Sequence, residues 1–377
     1  MKKVLFFLES LAGGGAEKVL TDIVCNLDKS KYDITVCTVA DKGVYEEKVK
    51  SCCKYQSFIK TDSYNRGIFG KLSVWLKTKI IYKLPANIVY KLFIKDKYDI
   101  EIAFIEGFAT KFIANSCNPK SKKIAWVHTD MNKNSYADIS YSNISNQIKC
   151  YKKYDKIICV SNYVKEVFEK KFFKSDSVVV CYNPVDESNI LKKASEPCDI
   201  KKSEGLLLGT VGRLTEQKGY LRLLKCINEV KKINDDFYLW IIGDGKERPI
   251  LEEYINQNNL KENVKLLGFH SNPYKYLVCC DVFICSSYAE GFSTAATESL
   301  ILGKPIFTVE CSGMRELFGK YKCGEIVSNT DEALLSMLKK IVTGTYNIKS
   351  YLNDIEKRKN DFKLKERIID IENLLDN

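Results

Sequence analysis

The chain has 377 residues, 45% of them hydrophobic and 28% charged, and a formal net charge of +11. This length is too great for one ordinary core and fits two domains, and the apolar fraction excludes a disordered or fibrous chain. The 15 cysteines show no C-x-x-C spacing. We therefore interpret them as small buried hydrophobes in a reducing compartment, rather than as zinc ligands or a disulfide framework.

The chain begins with a short apolar run, Met1–Leu8, which imitates a secretory signal until Glu9 ends it. We interpret this run as a first buried strand. No apolar stretch approaches the ~18 residues that a membrane-spanning helix needs. The sequence therefore predicts a cytoplasmic protein, soluble or peripheral at the inner face of the plasma membrane.

Strand-like and helix-like patterns alternate along the whole chain. After the first strand, a glycine turn leads into a helical pattern over Ala16–Leu27, and later helical patterns cover Gly219–Ile233 and a segment ending near Gln257. Short runs rich in Val and Ile predict the strands Val4–Leu8, Ile34–Val39, Ile100–Phe104, Lys123–Val127, Lys156–Val160, Val178–Tyr182, Leu206–Val211, Tyr238–Ile242, Val264–Leu267, Val282–Cys285 and Pro305–Val309. This alternation predicts an α/β protein of two Rossmann-like, doubly wound domains with parallel sheets.

A polar, aperiodic stretch follows Asn183-Pro184, and we place a linker at 186–205. The sequence thus predicts an N-terminal domain over 1–185, a C-terminal domain over 206–350 and a charged amphipathic helix over 351–377, starting from about Ile348. Two such domains facing one another leave a cleft. Because ligands of doubly wound folds bind beyond the carboxyl ends of the strands, we look for site residues in the loops that follow strands.

The excess of positive over negative charge comes entirely from the N-terminal half of the chain. Residues 1–185 hold 31 Lys+Arg against 19 Asp+Glu, whereas residues 186–377 hold 28 against 29. The segment Lys54–Lys97 combines ten basic residues and two acids with aromatic residues that include Tyr64, Phe69, Trp75, Tyr82, Tyr90 and Phe93. Basic residues interleaved with aromatic residues are typical of a protein surface that binds anionic membranes. Nucleic-acid binding and a merely solvated basic face are the alternatives.

Two glutamates with seven residues between them, Glu290 and Glu298, form the most specific pattern. Glu290 lies in a loop after a strand. Ser293 and Thr294 can cap the helix that carries Glu298, just over one turn inside it. The free amides of such a helix start attract anions, so a phosphate can bind there while the carboxylates accept sugar hydroxyls. The alternative is a capped helix with two exposed glutamates.

Two cations, Arg213 and Lys218, lie on the loop after the first strand of the second half. Cations in this position can clamp a diphosphate. The sequence offers no Asp-x-Asp pair for a metal, and we predict neither a metal nor a cofactor. The alternative is a pair of surface cations.

The remaining candidate residues follow other strands. The loop Gly13–Gly15 lets the backbone approach a ligand, although its spacing is not that of the G-x-G-x-x-G dinucleotide motif. Gly243-Asp244-Gly245 and Ser312 are similar but weaker candidates. His128 follows a strand and could contact a sugar hydroxyl or transfer a proton, whereas His270 is more typical of a structural histidine.

Taken together, these residues resemble the retaining glycosyltransferase family 4, which has the two-domain GT-B fold. The resemblance runs along the whole chain. Its most specific parts are Glu290–Glu298 and Gly212–Gly219, supported by Gly13–Glu17, His128, Asn183-Pro184, Gly243–Gly245 and Gly303–Pro305.

The resemblance implies a role for each residue. Arg213 and Lys218 would bind the diphosphate, with Gly14 and Gly15 approaching from the other domain. Glu298 would bind the ribose, Glu290 would hold the transferred sugar, and His128 would contact it. The complete donor site would be Gly14, Gly15, Arg213, Lys218, Gly243, Phe292, Ser293, Thr294 and Glu298. No metal would be needed, and the last helix would cross back onto the first domain.

The expected activity is transfer of a hexosyl unit, with retention, from a nucleotide-diphosphate sugar (a UDP-sugar by preference) to a saccharide acceptor. We expect that acceptor to be lipid-linked, in surface polysaccharide or glycolipid synthesis, with Lys54–Lys97 contacting the membrane. A nucleotide-sugar epimerase on the same fold is the alternative enzyme, and a basic nucleic-acid-binding protein is the alternative outside enzymes; we do not expect a nucleic-acid partner.

Overall fold

Short runs of Val, Ile, Leu and Phe form the strands of two parallel sheets. A computed structural model describes residues 1–41, 43–62, 67–133, 135–202 and 204–377; Tyr64 of the basic aromatic segment lies outside them. Within these residues the strands are β1 Lys2–Leu8, β2 Tyr32–Ala40, β3 Lys54–Ile59, β4 Ile100–Ala103, β5 Lys122–Val127, β6 Lys156–Cys159, β7 Val178–Val180, β8 Leu206–Val211, β9 Phe237–Ile242, β10 Val264–Gly268, β11 Val282–Cys285, β12 Ile306–Val309 and β13 Gly324–Val327.

Helices connect most of these strands. They are α1 Gly15–Asn26, α2 Glu46–Cys52, α3 Gly67–Lys83, α4 Ala86–Phe93, α5 Phe108–Ala114, α6 Ile144–Tyr151, α7 Asn162–Lys171, α8 Glu187–Ala194, α9 Tyr220–Lys231, α10 Arg248–Gln257, α11 Tyr274–Leu277, α12 Thr294–Ile301, α13 Met314–Phe318, α14 Asp331–Val342, α15 Leu352–Lys359 and α16 Leu364–Asp376. The described residues also include the short 3₁₀ helices Ser135–Ser140, Glu216–Lys218 and Ile348–Tyr351.

The chain forms two compact units, one of Met1–Pro184 with Lys365–Asn377 and the other of Val185–Leu364. In the described residues the first unit has a seven-stranded sheet in the order β3-β2-β1-β4-β5-β6-β7, and the second has a six-stranded sheet in the order β10-β9-β8-β11-β12-β13. The paired strands are parallel. The predicted architecture of two Rossmann-like α/β units is confirmed.

The central strand β1 explains why these sheets lie inside the units. Val4 pairs in register with Ile34 of β2 and with Ile100 of β4. Every residue from Val4 to Leu8 is fully buried, so side chains pointing to both faces of the sheet are covered. Burial on both faces is expected of a parallel sheet, because the helices that connect its strands cover it.

The first part of the predicted linker 186–205 is helical. It contains α8, which Asp186 caps by accepting a hydrogen bond from the Asn189 amide at 3.0 Å. Ile190 of this helix is fully buried, and α8 belongs to the second unit. The polar composition of 186–205 therefore reflects a helix with one buried position rather than an extended connection.

The C-terminal helix packs on the first unit, as predicted. The Glu372 carboxylate accepts hydrogen bonds from the Asp28 amide at 2.9 Å and from Lys31 at 3.1 Å, and Asp376 pairs with Lys2 at 2.9 Å. The prediction of one continuous helix from about Ile348 is wrong, because a 3₁₀ turn, α15 and α16 share that segment. Phe362, in the break between α15 and α16, is buried, which anchors the turn.

The interpretation of the cysteines as buried hydrophobes is correct for most of them. Eight free cysteines are buried, namely Cys37, Cys159, Cys181, Cys226, Cys280, Cys285, Cys311 and Cys323. It is wrong for Cys25 and Cys52, which form a disulfide. These two residues lie in the last turns of α1 and α2, whose packing brings their Cα atoms to 5.0 Å; their separation of 27 residues gave no sign of this in the sequence.

Candidate functional site

The densest group of predicted site residues lies in the second unit, in the loops that follow β8, β9 and β11. Arg213 and Lys218 come from the first of these loops, and Gly243 from the second. Glu290 to Ser293 come from the third, which leads into α12. The structure thus brings together, at one edge of one sheet, residues up to 80 positions apart.

The loop after β8 is held by backbone hydrogen bonds. The Gly212 amide donates to the Ile242 carbonyl and the Leu214 amide to the Asp244 carbonyl, both at 3.0 Å. The loop ends at Gly219, which has a φ of +64°. A Cβ atom at Gly219 would lie 2.3 Å from the Ser286 carbonyl oxygen, so only glycine allows this contact with the loop after β11.

Gly243 has a packing role that its sequence context did not reveal. Its φ is +145°, and a Cβ atom there would lie 1.9 Å from the Gly212 carbonyl oxygen. Gly245 is similar, since its Cβ atom would lie 2.4 Å from the Leu214 carbonyl oxygen. Both glycines therefore let the loop after β9 pack against the loop that carries Arg213.

The second cation contacts the first glutamate. The Lys218 Nζ lies 2.6 Å from Oε1 of Glu290, and Ser287 Oγ donates to the same oxygen, also at 2.6 Å. Burial would lower the pKa of Lys218, but the Glu290 carboxylate holds it above its ordinary value. Lys218 is therefore protonated, and only 22% of its side chain and 9% of the Glu290 side chain are exposed.

Arg213 differs from Lys218 in its surroundings. Its side chain is exposed, and its guanidinium group donates no hydrogen bond and forms no ion pair within the part of the chain that the structure describes. The neighbouring 3₁₀ helix is fixed to the loop after β11, because Gln217 Nε2 donates to the Ala289 carbonyl at 2.8 Å and the Tyr288 amide donates to the Gln217 carbonyl at 2.8 Å. A rigid loop therefore presents one solvated guanidinium.

The start of α12 matches the predicted cap. The Ser293 side chain accepts a hydrogen bond from the Ala296 amide at 3.4 Å, and Thr294 is the first helical residue. Phe292, just before the cap, is buried. Glu298 is also buried, and its Oε1 accepts a hydrogen bond from the Tyr274 hydroxyl at 3.1 Å. Glu298 is the fifth residue of this helix, as predicted just over one turn inside it, but its carboxylate is buried rather than exposed to solvent.

These contacts define what the second unit can bind. A diphosphate would meet the Arg213 guanidinium and the Lys218 ammonium, which attract anions electrostatically, together with the amides at the start of α12. Two buried carboxylates, Glu290 and Glu298, could accept hydrogen bonds from hydroxyl groups. The charges and donors present thus fit a ligand with a diphosphate and several hydroxyls.

His128 lies in the first unit, at the carboxyl end of β5, as predicted. It is 9% exposed and packs against the rings of Phe104 and Trp126. Burial lowers the pKa of His128 to about 3, and a hydrogen bond to the Phe104 carbonyl opposes this only in part. Its Nε2 has no hydrogen-bond partner among the described residues. The imidazole is therefore neutral at ordinary pH.

A buried glutamate that the sequence reasoning missed fixes the backbone at His128. Glu106 Oε1 accepts hydrogen bonds from the His128 amide at 2.5 Å, the Thr129 amide at 2.7 Å and the Thr129 hydroxyl at 3.1 Å. Burial raises the pKa of the Glu106 carboxyl group, although these hydrogen bonds lower it. Glu106 follows the end of β4, so a complete survey of the loops after strands would have found it.

The glycine loop of the first unit also starts a helix. Gly14 is the N-cap of α1, and Gly15 is its first residue, with no side chain capping that end. Gly13 has a φ of +105°, a conformation that favours glycine. The structure thus places the free amides of α1 at the carboxyl end of β1, where the sequence predicted them.

Other candidates have structural partners. His270 Nε2 lies 3.0 Å from the Leu267 carbonyl oxygen, and Nδ1 lies 3.3 Å from the Tyr276 hydroxyl. Both ring nitrogens are thus engaged, in agreement with the structural interpretation. Among the described residues there is no cluster of three or more His, Cys, Asp or Glu side chains arranged to hold a metal ion.

Family models match both halves of the chain. Residues 13–189 match the model of Glycosyltransferase Family 4, and residues 196–361 match that of Glycosyl transferases group 1. A curated relative, the N-acetylgalactosamine-N,N'-diacetylbacillosaminyl-diphospho-undecaprenol 4-alpha-N-acetylgalactosaminyltransferase of Campylobacter jejuni, is 29% identical over 371 residues, covering 96% of each chain. An uncharacterized glycosyltransferase of Methanocaldococcus jannaschii is 32% identical over 52% of this chain and 50% of its own.

Solved structures show the same fold. HepE of Anabaena, in complex with UDP and glucose, superposes with a TM-score of 0.74 over 100% of both chains at 18% identity. TarM of S. aureus, in complex with UDP and other ligands, superposes with a TM-score of 0.72 over 100% of both chains at 13% identity. At these identities the likeness concerns the fold alone.

Proposed function

Because the chain belongs to glycosyltransferase family 4 and has its GT-B fold, we propose that it transfers a sugar from a UDP-sugar to a lipid-linked saccharide with retention of configuration. The contact between Lys218 and Glu290, beside the start of α12 and the exposed Arg213, carries this proposal. The proposal is supported because cations able to bind phosphate and carboxylates able to accept hydroxyl groups lie together at one edge of one sheet.

The donor roles follow from the groups present. Arg213 and Lys218 would bind the diphosphate, with the amides of Phe292, Ser293 and Thr294 beside it. Glu298, oriented by Tyr274, would accept the ribose hydroxyls, and Glu290 those of the transferred sugar. Gly243 would act by fixing the Arg213 loop. The first unit offers groups of the same kind, namely the amides at Gly14 and Gly15, which could donate to a phosphate, and the neutral His128 ring, which could accept a hydrogen bond from a sugar hydroxyl.

The choice of UDP and of the sugar rests on similar proteins. Solved structures with the same fold are complexes with UDP. The Campylobacter relative is by name an N-acetylgalactosaminyltransferase that acts on a diphospho-undecaprenol. We therefore propose a UDP-linked hexose or N-acetylhexosamine as donor and a polyprenyl-diphosphate-linked saccharide as acceptor.

The mechanism proposed is a front-face substitution. The diphosphate is already a good leaving group, so its departure needs electrostatic stabilisation more than a proton. Arg213 and Lys218 supply that charge, and removing one such donor typically costs ~10²–10³ in rate. The Glu290 Oε1 accepts hydrogen bonds from Lys218 and Ser287, which lowers its nucleophilicity and favours direct substitution over a covalent glycosyl intermediate. The departing phosphate oxygen would take the acceptor's proton.

We propose that no metal is required. Two cations stand where a metal would otherwise balance the charge of the diphosphate. The measurement is the turnover number after treatment with excess EDTA and again after addition of Mg²⁺. Turnover that EDTA abolishes and Mg²⁺ restores contradicts this part of the proposal.

The membrane part of the proposal rests on α3. This helix buries Val74 and Ile81 but exposes large apolar side chains, namely Phe69, Leu72, Trp75, Leu76 and Ile80. Four lysines lie among these exposed side chains, namely Lys71, Lys77, Lys79 and Lys83. An exposed helix with apolar and cationic side chains fits an anionic lipid surface. No described helix is both long and apolar enough to cross a bilayer, so the proposed contact is peripheral.

Two experiments test the proposal. The first screens UDP-, GDP- and ADP-sugars with synthetic citronellyl-diphosphate-linked N-acetylglucosamine as acceptor, and reads the anomeric configuration of the product by NMR. An inverted product refutes the mechanism, and an epimerised donor formed without acceptor refutes transfer.

The second is flotation with anionic vesicles at low salt. A variant with Lys71, Lys77, Lys79 and Lys83 changed to Glu should stay unbound, whereas a control with Lys149, Lys152 and Lys153 changed to Glu should float like the unaltered protein. Failure of the unaltered protein to float refutes the membrane contact.

A further inference from the structure

A carboxylate and two tyrosines from distant segments meet in the first unit. Glu9 follows β1, Tyr82 lies near the end of α3, and Tyr136 lies in the 3₁₀ helix Ser135–Ser140. The Tyr82 hydroxyl donates to Oε1 of Glu9 at 2.9 Å, and the Tyr136 hydroxyl donates to Oε2 at 2.5 Å. Each carboxylate oxygen thus accepts a hydrogen bond from one tyrosine hydroxyl, and the two hydrogen bonds fix the plane of the carboxylate.

The cluster lies at the same edge of the sheet as His128. In the strand order, β4 alone separates β1 from β5, and adjacent strands are ~4.8 Å apart. Glu9 and His128 each follow the carboxyl end of their strand, so their backbones are about 10 Å apart across the sheet. The glycine loop Gly13–Gly15 begins four residues after Glu9. The cluster is therefore beside the groups proposed to reach the donor, within reach of a neighbouring sugar.

The exposure of the cluster suits a ligand. Tyr82 is 47% exposed and Tyr136 is 54% exposed, so each ring keeps apolar surface open to solvent. A carboxylate has about four lone-pair positions, and two hydrogen bonds leave others for hydroxyl or amide N–H donors. Partial burial and the nearby Glu9 charge raise the pKa of both phenols. They therefore stay protonated and keep donating to Glu9.

The chemistry favours the sugar part of an acceptor over its phosphates. A fixed carboxylate repels a diphosphate but accepts hydrogen bonds from neutral hydroxyl and acetamido groups. Aromatic rings offer flat apolar faces, which suit the C–H faces of a pyranose. Tyr82 also packs on Phe108, with ring centroids 4.7 Å apart, so its position is already held without the hydrogen bond to Glu9.

We propose that Glu9, Tyr82 and Tyr136 form the subsite that binds the sugar of the acceptor, an inference that rests on the proposed function. Glu9 accepts hydrogen bonds from the sugar's hydroxyl or acetamido group, and the two rings flank the sugar. Tyr82 belongs to α3, the helix proposed to contact lipid. The sugar of a lipid-linked acceptor would thus be bound next to the membrane surface that holds its lipid.

The test uses the full chain, the donor that the panel identifies and citronellyl-diphosphate-linked N-acetylglucosamine. Glu9→Gln should raise the acceptor KM about 10- to 100-fold, as expected for loss of a hydrogen bond to a charged group, and Tyr82→Phe and Tyr136→Phe about 2- to 10-fold each. The donor KM and the rate of donor hydrolysis without acceptor should change less than about twofold. Glu47→Gln, which alters an exposed carboxylate on α2, is the matched control and should leave all these values unchanged.

A second probe separates the sugar from the lipid diphosphate. Citronellyl diphosphate without sugar should inhibit the unaltered protein and Glu9→Gln with the same Ki. The inference is overturned if the three variants keep the acceptor KM within twofold, or if Glu9→Gln raises this Ki as much as the acceptor KM. If Glu9→Gln does not fold, the two tyrosine variants decide. If the unaltered protein transfers no sugar, the proposed function fails and the subsite with it.

Discussion

The pair Lys218–Glu290 allows a stabilising role and a catalytic role to be separated. The two charges are 2.6 Å apart. At an effective dielectric constant of ~20 their attraction is about 6 kcal/mol before desolvation is counted. Lys218→Met removes the cation and leaves a buried carboxylate whose remaining hydrogen-bond donor among the described residues is Ser287. Breaking a buried pair in this way costs about 3–5 kcal/mol, and the retained Ser287 hydrogen bond places our expectation near the lower limit.

The double variant Lys218→Met/Glu290→Gln removes the uncompensated charge as well. It should recover about 2 kcal/mol of the lost free energy of unfolding, because replacing both partners of a buried pair is much less costly than removing one. Its turnover should stay ~10²-fold or more below that of the unaltered protein, since the diphosphate still lacks a cation. Stability would thus return without activity.

Substitution of Arg213 should give the opposite outcome, in which stability is kept and activity is lost. Its side chain is exposed, so Arg213→Ala should change the free energy of unfolding by less than about 0.5 kcal/mol while lowering turnover ~10²–10³-fold. The control Lys232→Met breaks an exposed pair with Glu229 and should change neither. The assays are urea unfolding and donor turnover. The reasoning is refuted if the double variant is as unstable as Lys218→Met, or if it regains activity.

Three further predictions concern buried groups and glycines. The folded pKa of His128 is about 3 against an ordinary ~6.5, so its stabilising effect is complete above pH 6.5 and is lost as the pH falls towards 3. Between pH 7 and pH 5 the unaltered protein should therefore lose about 2 kcal/mol of unfolding free energy that His128→Gln does not lose, as measured by urea unfolding. Glu106, whose raised pKa acts in the opposite direction, is present in both proteins and does not affect the comparison. An unchanged pH dependence in the variant contradicts the prediction. Glu106→Ala leaves the buried His128 amide and the partly buried Thr129 amide without their acceptor and should cost about 3 kcal/mol. Glu106→Gln keeps an acceptor oxygen and should restore more than half of that free energy; equal losses in the two variants would argue against the hydrogen bonds. Gly243→Ala should lower the free energy of unfolding by more than about 2 kcal/mol and reduce turnover, because the added Cβ atom meets the Gly212 carbonyl. The control Gly344→Ala, also at positive φ but with nothing within 4 Å, should lower the free energy of unfolding by about 1 kcal/mol and leave turnover intact.

Most strands could be predicted from the sequence because strands buried on both faces are continuous apolar runs. The two that were missed, β3 and β13, lie at sheet edges. β3 is KYQSFI, with its first four residues partly or fully exposed, so it has no apolar run to detect. The helix α8 was missed for a related reason: it has a single buried residue, Ile190, and therefore lacks the repeated apolar spacing that marks a helix.

The site could be predicted as a set of loops but not as a set of contacts. Strand ends in a parallel sheet share an edge, so Arg213, Lys218, Glu290 and Glu298 could be assigned to one region of the second unit. Their partners depend on packing between distant segments. Lys218 contacts a residue 72 positions away. The hydroxyl of Tyr274, which orients Glu298, comes from a four-residue helix that had no functional signature.

The Lys218–Glu290 contact also predicts how the donor's two ends depend on each other. When a diphosphate forms an ion pair with Lys218, Glu290 loses a charged hydrogen bond worth about 1.5–3 kcal/mol. Hydrogen bonds from sugar hydroxyls can replace the one that Glu290 loses. UDP alone supplies the phosphates but no such hydroxyls, so it should bind this protein more weakly than the UDP-sugar does. Glu290→Gln frees Lys218 and should tighten UDP about tenfold while the UDP-sugar gains little, since it loses its own contact with the carboxylate. Calorimetric titration of both ligands measures the ratio. If UDP and the UDP-sugar respond equally to Glu290→Gln, then the lysine and the glutamate do not compete for the two ends of the donor.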